Sequence, residues 1–427
     1  MRKYPLVYAF FIWTVTLSGQ LYAETLTLDE CVQEALNHNR DIILSINDIL
    51  DAAADRAKAR SDFYPHLSLD SSYAKAKVEH SGDLPSDDKW RDSSGYSLNL
   101  KQALFYGGLY TKNRLADIRE RGAKFRSHAV KELIIDNVLS KFLDIHSLVE
   151  VKKVLTESRK IAREQTRLAK AKFDLGMASE TDYLKSTVEE GRYMIELVGI
   201  DGQIKSGLAE LNMIMGRLPE SELKLSPEDE QEIFIPDFNT ASALVKQNNS
   251  ELKTYENSWQ AAKIELQISK ERLLPGIDIK ASHSKTRSEI ENEKRTETDN
   301  RIGVYFNIDL FSGYSKKTEI KKSTVARAKA RTEYLKKQDE LIENLSDTYT
   351  RLDTLTKSLK IYNKNLISAE KESALAKQLY ELGKVTILDM IDANHALISS
   401  RSKIIQIKND IKKNKSRIRL LTGGYSD

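Results

Sequence analysis

Two aspartates, Asp389 and Asp392, lie in the stretch YELGKVTILDMIDA, shortly after Gly383. At about 100° per residue, both carboxylates leave a helix on the side opposite its apolar residues. From spacing alone, two interpretations remain open. The aspartates are either the solvent-facing side of an amphipathic helix or part of a functional site.

The rest of the sequence contains no pattern typical of a catalytic site. The seven histidines form no His-x-x-x-His or His/Cys cluster, so we expect no metal centre. Phosphate-binding glycine loops and nucleophile elbows are missing, so we expect neither an enzyme nor a cofactor. Lysines alternate with glutamates along helical patterns, which is typical of solvated helix faces and not of a surface that binds nucleic acid.

The N-terminal segment is typical of an exported protein. Arg2 and Lys3 precede the apolar run from Leu6 to Leu17, which predicts a signal peptide over residues 1–23. After Ala23, no window approaches the roughly 18 apolar residues that a membrane-spanning helix needs. If the mature chain enters a membrane, we expect it to do so as strands. The single cysteine, Cys31, is predicted to be a small buried helix residue, with a reactive thiol as the alternative.

The chain repeats itself once. LFYGG, ending at Gly108, returns as LFSGY, ending at Tyr314, and LAKAKFDLG returns as LAKQLYELG about 207 residues later. This predicts a tandem duplication, with repeats over 24–220 and 237–427 and a linker over 221–236.

Hydrophobic periodicity predicts the same element order in each repeat: helix, two strands, long helix, return helix. The first helix of the first repeat is expected to run from Leu28 to Phe63. We expect strands over about 66–78, 95–104, 276–286 and 301–310, long helices over 111–174 and 315–381, and return helices over 179–216 and 386–422. A helix of more than 60 residues would reach roughly 95 Å, too long for one globular core.

The predicted strands have one apolar and one polar face. In the fourth strand the apolar set is Ile302, Val304, Phe306, Ile308 and Leu310. Such strands suit a membrane barrel with a watery interior, with the apolar set facing lipid, or a soluble sheet with one buried face. The polar segments from Ser81 and from Ser288 are expected to be exposed loops. Four strands cannot close a barrel, so a membrane protein of this kind must oligomerise, and three copies supply twelve strands.

The order of these elements, duplicated over nearly the whole mature chain, resembles the TolC family of outer membrane exit ducts. The resemblance implies a mainly α fold with a membrane β-barrel portion. Three chains would close one twelve-stranded barrel on a long periplasmic helical tunnel. It also implies a homotrimer in the outer membrane of a Gram-negative type envelope. A periplasmic adaptor and an inner membrane pump would complete an efflux or type I secretion system.

The resemblance gives the tips of the helical hairpins a function. In the family, residues at the periplasmic tip line the narrow entrance, and the matching residues here are Tyr380, Asp389, Asp392 and Asp182. Lys384 and Lys185 are further candidate entrance residues that depart from the family pattern. The tip segments implied to contact an adaptor contain Leu175, Gly176, Met177, Leu382, Gly383 and Lys384. Val385 occupies the place of the family's tethering arginine, which leaves open whether Lys384 or Lys185 holds the entrance closed.

Threefold symmetry would crowd the tip aspartates around one axis. One pair of like charges at 4 Å repels by about 1 kcal/mol in water and about 4 kcal/mol at an effective dielectric of 20. We therefore expect raised carboxylate pKa values and a cation-selective entrance. Two alternatives remain: a non-conducting periplasmic coiled-coil protein, and a pump adaptor with long helical hairpins. The sequence does not distinguish drugs, metals or proteins as cargo.

Overall fold

A computed structural model describes residues 24–77, 90–227, 234–290 and 293–425. The predicted signal peptide lies outside these ranges. The first half contains strand β1 (Glu24–Leu26), helices α1 (Leu28–His38) and α2 (Arg40–Ser61), strands β2 (His66–Lys77) and β3 (Trp90–Phe105), the long helix α3 (Leu109–Asp174) and the return helix α4 (Glu180–Ile214).

The second half repeats this order. It contains strand β4 (Leu223–Leu225), helices α5 (Phe238–Asn248) and α6 (Ser250–Glu271), strands β5 (Gly276–Ile290) and β6 (Glu293–Asn307), the long helix α7 (Ser315–Glu381) and the return helix α8 (Ile387–Leu421). Helices α3 and α7 have 66 and 67 residues, which corresponds to about 100 Å each. Within the described ranges, no helix is long and apolar enough to cross a membrane.

Strands from both halves form one antiparallel sheet in the order β2-β3-β5-β6. The prediction of a fourth strand over 301–310 is wrong at its end, because β6 stops at Asn307 and leaves Ile308 and Leu310 outside the strand. Asn307 pairs with Gly276, the first residue of β5. The residue before it is Pro275, whose nitrogen carries no hydrogen and cannot extend the ladder.

Both predicted loops are shorter than expected. Most of the segment from Ser288 to Asn300 is strand, and Ile290 pairs with Glu293 across the hairpin. In the first half, Trp90–Ser94 belongs to β3, while the remainder of that predicted loop lies outside the described residues. Polar side chains on both faces obscured these strands, because backbone pairing does not require alternation of side-chain polarity.

The predicted single helix from Leu28 to Phe63 is wrong, because Asn39 divides it into α1 and α2. The Asn39 side chain accepts hydrogen bonds from the amides of Asp41 and Ile42 and donates to the Ile214 carbonyl at 2.8 Å. Asn249 does the same in the second half: it caps α6 and donates to the Leu421 carbonyl at 3.0 Å. Each asparagine thus ties a helix break to the C-terminus of its return helix.

The predicted linker contains structure. Its strand β4 pairs in parallel with β1, so that Leu26 faces Leu225 in the register. Leu26 and Leu223 are buried in a core with Phe142 and Leu211. The connection between the halves is therefore anchored to the first half, because it contributes apolar residues to that core.

Each half packs its helices around its own core, and both apolar and polar contacts join the halves. The apolar contacts include a buried cluster of Leu115, Ile118, Ile264 and Ile268. The second core is formed by Ala241, Val245, Leu252, Leu341, Leu345, Leu352, Ile418 and Leu421. Between halves, the Lys413 ammonium lies 2.9 Å from both Asp144 carboxylate oxygens, and the Asn257 amide donates to the Ile118 carbonyl at 2.8 Å. The first long helix therefore contacts helices of both halves.

The turns that begin the long helices differ between halves. A Cβ atom on Gly107 would lie 1.7 Å from the Glu271 carbonyl oxygen, so only glycine fits there. Gly108 has φ +98°, and its equivalent, Tyr314, keeps a left-handed backbone with φ 64°. The second half thus tolerates a conformation that is costly for a side chain with a Cβ.

Candidate functional site

Two helical hairpin turns contain the residues that the sequence singled out. We call Phe173–Lys185 the first tip and Tyr380–Asp392 the second tip. Each long helix ends before a glycine of positive φ, +73° at Gly176 and +69° at Gly383. The return helix then begins with a capping box, in which Ser179 or Thr386 exchanges hydrogen bonds with the aspartate three residues later. The two turns therefore share one backbone design.

Asp389 lies in the capping box of α8. The Thr386 amide and hydroxyl donate to Oδ2 of Asp389 at 2.8 and 2.7 Å, and the Asp389 amide donates back to the Thr386 hydroxyl at 3.3 Å. These bonds hold the pKa of Asp389 below its usual range, which opposes the rise expected from repulsion between copies. The spacing Thr-x-x-Asp was a readable signal for this role, and the sequence analysis missed it.

Tyr380 is buried within the second tip. It is 5% exposed and packs with Ile387, Met390 and Ile391 in an apolar cluster that Val385 also contacts. Its hydroxyl has no hydrogen-bond partner among the described residues.

The structure brings together two residues that the resemblance implied, Tyr380 of the second half and Asp182 of the first. Burial raises the pKa of Tyr380, and the nearby negative charge of Asp182 raises that pKa further. Asp182 itself occupies the capping box of α4, where the Ser179 hydroxyl accepts from its amide at 3.2 Å. The first tip therefore supplies a carboxylate to the surroundings of a buried phenol in the second tip.

Lys172, the residue just before the first tip, contacts the second tip and was not among the residues predicted from the sequence. Its ammonium donates to the Tyr380 carbonyl at 2.6 Å and to the Glu381 carbonyl at 3.2 Å, and lies 4.5 Å from the centroid of the Tyr380 ring. A cation is favourable at these last carbonyls of α7, since they form the negative end of the helix dipole. Its partners belong to the other half of the chain, so no local sequence signal indicated them.

The other predicted tip charges make no comparable contact. Lys384 and Asp392 are exposed, and Lys185 is half-buried. Within the described parts of the chain, the side chains of Lys384 and Lys185 make no hydrogen bond or ion pair. The structure of one chain thus connects its halves at the tip through Lys172 and not through either lysine that the sequence suggested.

A polar cluster joins the two return helices beyond the tip. Nε2 of His395 lies 3.0 Å from a Glu189 carboxylate oxygen, and Arg192 donates to Glu196 at 3.1 Å. Tyr193 is 2% exposed, and burial together with the Glu189 charge raises its pKa. His395 thus links α8 to α4, a contact between the halves that no local sequence pattern indicates.

The outermost side chains of both tips are apolar and exposed. Leu175 and Met177 of the first tip are 74% and 72% exposed, and Leu382 of the second tip is 69% exposed. No heavy atom lies within 4 Å of a Cβ built on Gly176 or Gly383. These apolar side chains are therefore accessible at the end of each helical hairpin.

The apolar face of the sheet is exposed in the single chain. On β6, Ile302, Val304 and Phe306 are 82%, 68% and 65% exposed. They pair across the strand with Ala281, Ile279 and Ile277. Within the described ranges no helix covers this face, since the exposed fractions are those of freely accessible side chains.

The chain matches the family described as "Outer membrane efflux protein" over residues 31–217 and 241–424. It belongs to this family. The match divides into two segments that correspond to the two halves of the fold. The resemblance to the TolC family expected from the sequence is thereby confirmed.

Curated relatives share the length of the chain at low identity. Outer membrane efflux protein BepC of Brucella suis biovar 1 (strain 1330) is 21% identical over 403 residues, which cover 93% of this chain and 86% of BepC. Alkaline protease secretion protein AprF of Pseudomonas aeruginosa is 23% identical over 345 residues, 79% of this chain and 71% of AprF. One relative is named for efflux and the other for secretion.

A solved structure shares the fold. The crystal structure of CusC, described in connection with folding and transmembrane channel formation, superposes with a TM-score of 0.79 at 16% identity and covers 93% of this chain and 92% of CusC. The mainly helical fold with a small sheet is therefore that of known outer membrane channels. At this identity the likeness establishes the architecture alone.

Proposed function

We propose that this protein is the outer membrane exit duct of an efflux or type I secretion system. In this proposal it acts as a passive homotrimeric channel with no enzymatic activity, gated at its periplasmic tip. The family match and the relatives named for efflux and secretion support the outer membrane location and the duct function. The non-conducting coiled-coil alternative explains the long helices but leaves the exposed amphipathic sheet without a role.

The observation that carries the proposal is the four-stranded sheet with β2 and β6 at its edges. Edge strands present unpaired amides and carbonyls, which hydrocarbon does not tolerate. Pairing β2 of one copy with β6 of the next satisfies these groups, and three copies close twelve strands. The exposed apolar side chains of β6, Ile302, Val304 and Phe306, then face lipid. Ile308 and Leu310 lie beyond the paired region.

The gate of this duct is the second tip. Lys172 ties the end of α7 to the first half through the Tyr380 and Glu381 carbonyls, and opening requires that these contacts separate. Asp389 and Asp392, repeated by threefold symmetry, form a ring of carboxylates that attracts cations at the entrance. Hydrogen bonds from Thr386 hold the pKa of Asp389 below its usual range, so its carboxylate contributes negative charge to the ring.

The tip turns are the proposed contact with a periplasmic adaptor, which in turn connects the duct to an inner membrane pump. Exposed Leu175, Met177 and Leu382 supply apolar contacts, and Gly176 and Gly383 leave room for close approach of a partner's backbone. Exposed Lys384 lies beside this surface and adds a polar group at its rim.

Strand pairing between copies tests the proposal. In a Cys31→Ala background, Ser68→Cys on β2 is combined in turn with cysteine at each of 302 to 306 on β6. Oxidation of intact outer membranes should yield a covalent trimer for at least one pair, and two cysteines both on β2 serve as the control. A protein that fractionates as a periplasmic monomer, or that gives no crosslink at any register, contradicts the proposal.

A further inference from the structure

We propose that Lys285 and Arg287, on the apolar face of the sheet, form a binding site for the phosphate groups of anionic lipid at the outer boundary of the membrane. This rests on the proposed function, in which that face contacts lipid. An apolar face alone would contact the acyl chains of any lipid. This site would in addition select lipids by their anionic headgroup.

Strand register places both cations on the lipid side. Lys285 pairs with Tyr96 of β3 and Thr298 of β6, and the same row of β5 side chains continues through Ala281 to Ile277. Directly paired residues, and residues two apart on one strand, share a face of a sheet. The cations therefore share the face of Ile302, Val304 and Phe306.

The neighbours of the two cations are neutral hydroxyl groups. Lys285 lies between Tyr96 and Thr298, and Arg287 lies between Ser94 and Thr296. All these side chains are exposed. Ammonium, guanidinium and hydroxyl donors from three adjacent strands together match the acceptor oxygens of a phosphate, and Arg binds such oxygens in bidentate fashion.

The nearest carboxylates on this face are already paired. Asp92 lies 3.7 Å from Lys75, and Glu289 lies 3.6 Å from Lys294. Among the described residues, Lys285 and Arg287 have no carboxylate within ion-pair distance. The patch thus has a net positive charge that an anionic headgroup complements.

The opposite face is organised differently. There Arg301 lies 2.5 Å from Asp299, and the alternation of β6 puts Arg295 and Glu297 on that same side. The polar face therefore balances its own charges, whereas the apolar face does not. This difference favours an external anion on the apolar side.

The height of the patch fits a headgroup. From Ile277 to Arg287, β5 extends about 34 Å at roughly 3.4 Å per residue. A strand tilt of about 40° reduces this to about 26 Å along the membrane normal, close to the roughly 25 Å apolar band of an outer membrane barrel. The hairpin end of the sheet points away from the helices, so these cations lie at the outer leaflet.

His283 marks the transition between the apolar and the cationic rows. Its Nδ1 lies 2.6 Å from the Asn300 side-chain oxygen, and its Nε2 lies 3.4 Å from the Tyr96 hydroxyl. The Tyr96 and His283 rings pack at a tilt of 45° with their centroids 5.9 Å apart. Amphipathic rings at this level are typical of a membrane interface.

The test measures lipid that co-purifies with the intact trimer from mixed micelles containing equal amounts of phosphatidylglycerol and phosphatidylcholine. Mass spectrometry gives the enrichment of phosphatidylglycerol for wild type and for Lys285→Gln/Arg287→Gln. The matched control is Arg295→Gln/Arg301→Gln, which removes the same charge from the opposite face. We expect enrichment to fall by about fivefold for each cation removed from the site and to stay unchanged in the control.

Each other outcome contradicts the inference. An equal fall in both variants means that net charge alone attracts lipid, and no fall in either means that the site does not bind headgroups. Loss of enrichment in wild type on adding millimolar inorganic phosphate alone, at constant ionic strength, points to a site for free phosphate. If wild type does not form a heat-modifiable trimer, the proposed function fails; if it does so without enrichment, only this inference fails.

Discussion

The two tips share a backbone design and differ in what surrounds it. Both have a left-handed glycine and a capping box, yet Ile387 of the second tip is fully buried while its first-tip equivalent, Glu180, is exposed. Ile391 is 7% exposed and its equivalent Leu184 is 52% exposed. The two tips therefore keep the same turn but differ in their side chains. The second tip packs its side chains into a buried cluster, whereas the first tip leaves the equivalent positions exposed.

Lys172 accounts for much of this asymmetry. Its equivalent in the second half is Leu379, so only the first long helix presents an ammonium to the end of the other. The second tip is held against α3, while the first tip leaves Leu175 and Met177 free for a partner. We therefore propose that the second tip gates the channel and that the first tip contributes most of the docking surface.

The largest predicted effect comes from the buried cluster. Ile387→Ala should destabilise the second tip by about 2 to 5 kcal/mol, because it leaves a cavity beneath α8. Hydrogen exchange of the first-turn amides of α8 should accelerate accordingly. The control Leu184→Ala, at an exposed position of the first tip, should change exchange there by less than about 0.5 kcal/mol. Equal effects at both tips would remove the distinction between them.

The second prediction concerns the contact between the halves. Lys172→Met should weaken closure by about 1.5 kcal/mol, since it removes hydrogen bonds from a charged donor. This corresponds to a roughly tenfold higher ratio of open to closed channels. Lys170→Met, on the same helix and exposed, should leave single-channel conductance in planar bilayers unchanged. If Lys172→Met behaves like its control, Lys172 does not hold the gate.

The third prediction states where the tips should agree. Thr386→Ala and Ser179→Ala should each destabilise their return helix by about 1 kcal/mol, because each removes a side-chain cap of the same geometry. Protection of the first-turn amides of α8 and α4 measures both. A clear loss of protection at one tip alone would show that the two side-chain caps do not stabilise their return helices equally.

The smallest effect is a pH dependence at Asp389. Its pKa in the folded chain lies below the ordinary value of 3.8 because Thr386 donates to the carboxylate. The contribution to stability is therefore present above the unfolded pKa and is lost as pH falls through the lower, folded value. Amide protection at the start of α8 should decline over that acidic range. The decline should be absent in Asp389→Asn.

Local patterns in the sequence predicted most of the fold and little of the packing at the tip. The long helices, the duplication and the equivalence of Gly108 with Tyr314 followed from periodicity and repeats. The breaks at Asn39 and Asn249 were missed because the apolar pattern continues through them, although an asparagine cap was visible in each. Strand ends were misjudged at Ile308 and Leu310, since alternation does not reveal that a partner strand has ended.

Contacts between the halves explain the remaining failures. Lys172 bonds to carbonyls more than 200 residues away, and no local pattern predicts such a contact. Lys384 was suggested because it lies beside the vacant arginine position at Val385, and Lys185 because it occupies the first-half position equivalent to Asp392. Their side chains do not reach a partner within the described residues. Burial of Tyr380 likewise depends on α3, which its own amphipathic segment does not indicate.

The central claim is that the second tip forms a cation-attracting gate of a trimeric duct. Planar bilayer recording of the purified trimer, with and without divalent cations on the tip side, tests it most directly. Wild type should conduct cations preferentially and be blocked by divalent cations, and Asp389→Asn with Asp392→Asn should lose both properties. If that double variant keeps the conductance, selectivity and divalent block of wild type, the second tip is not the gate.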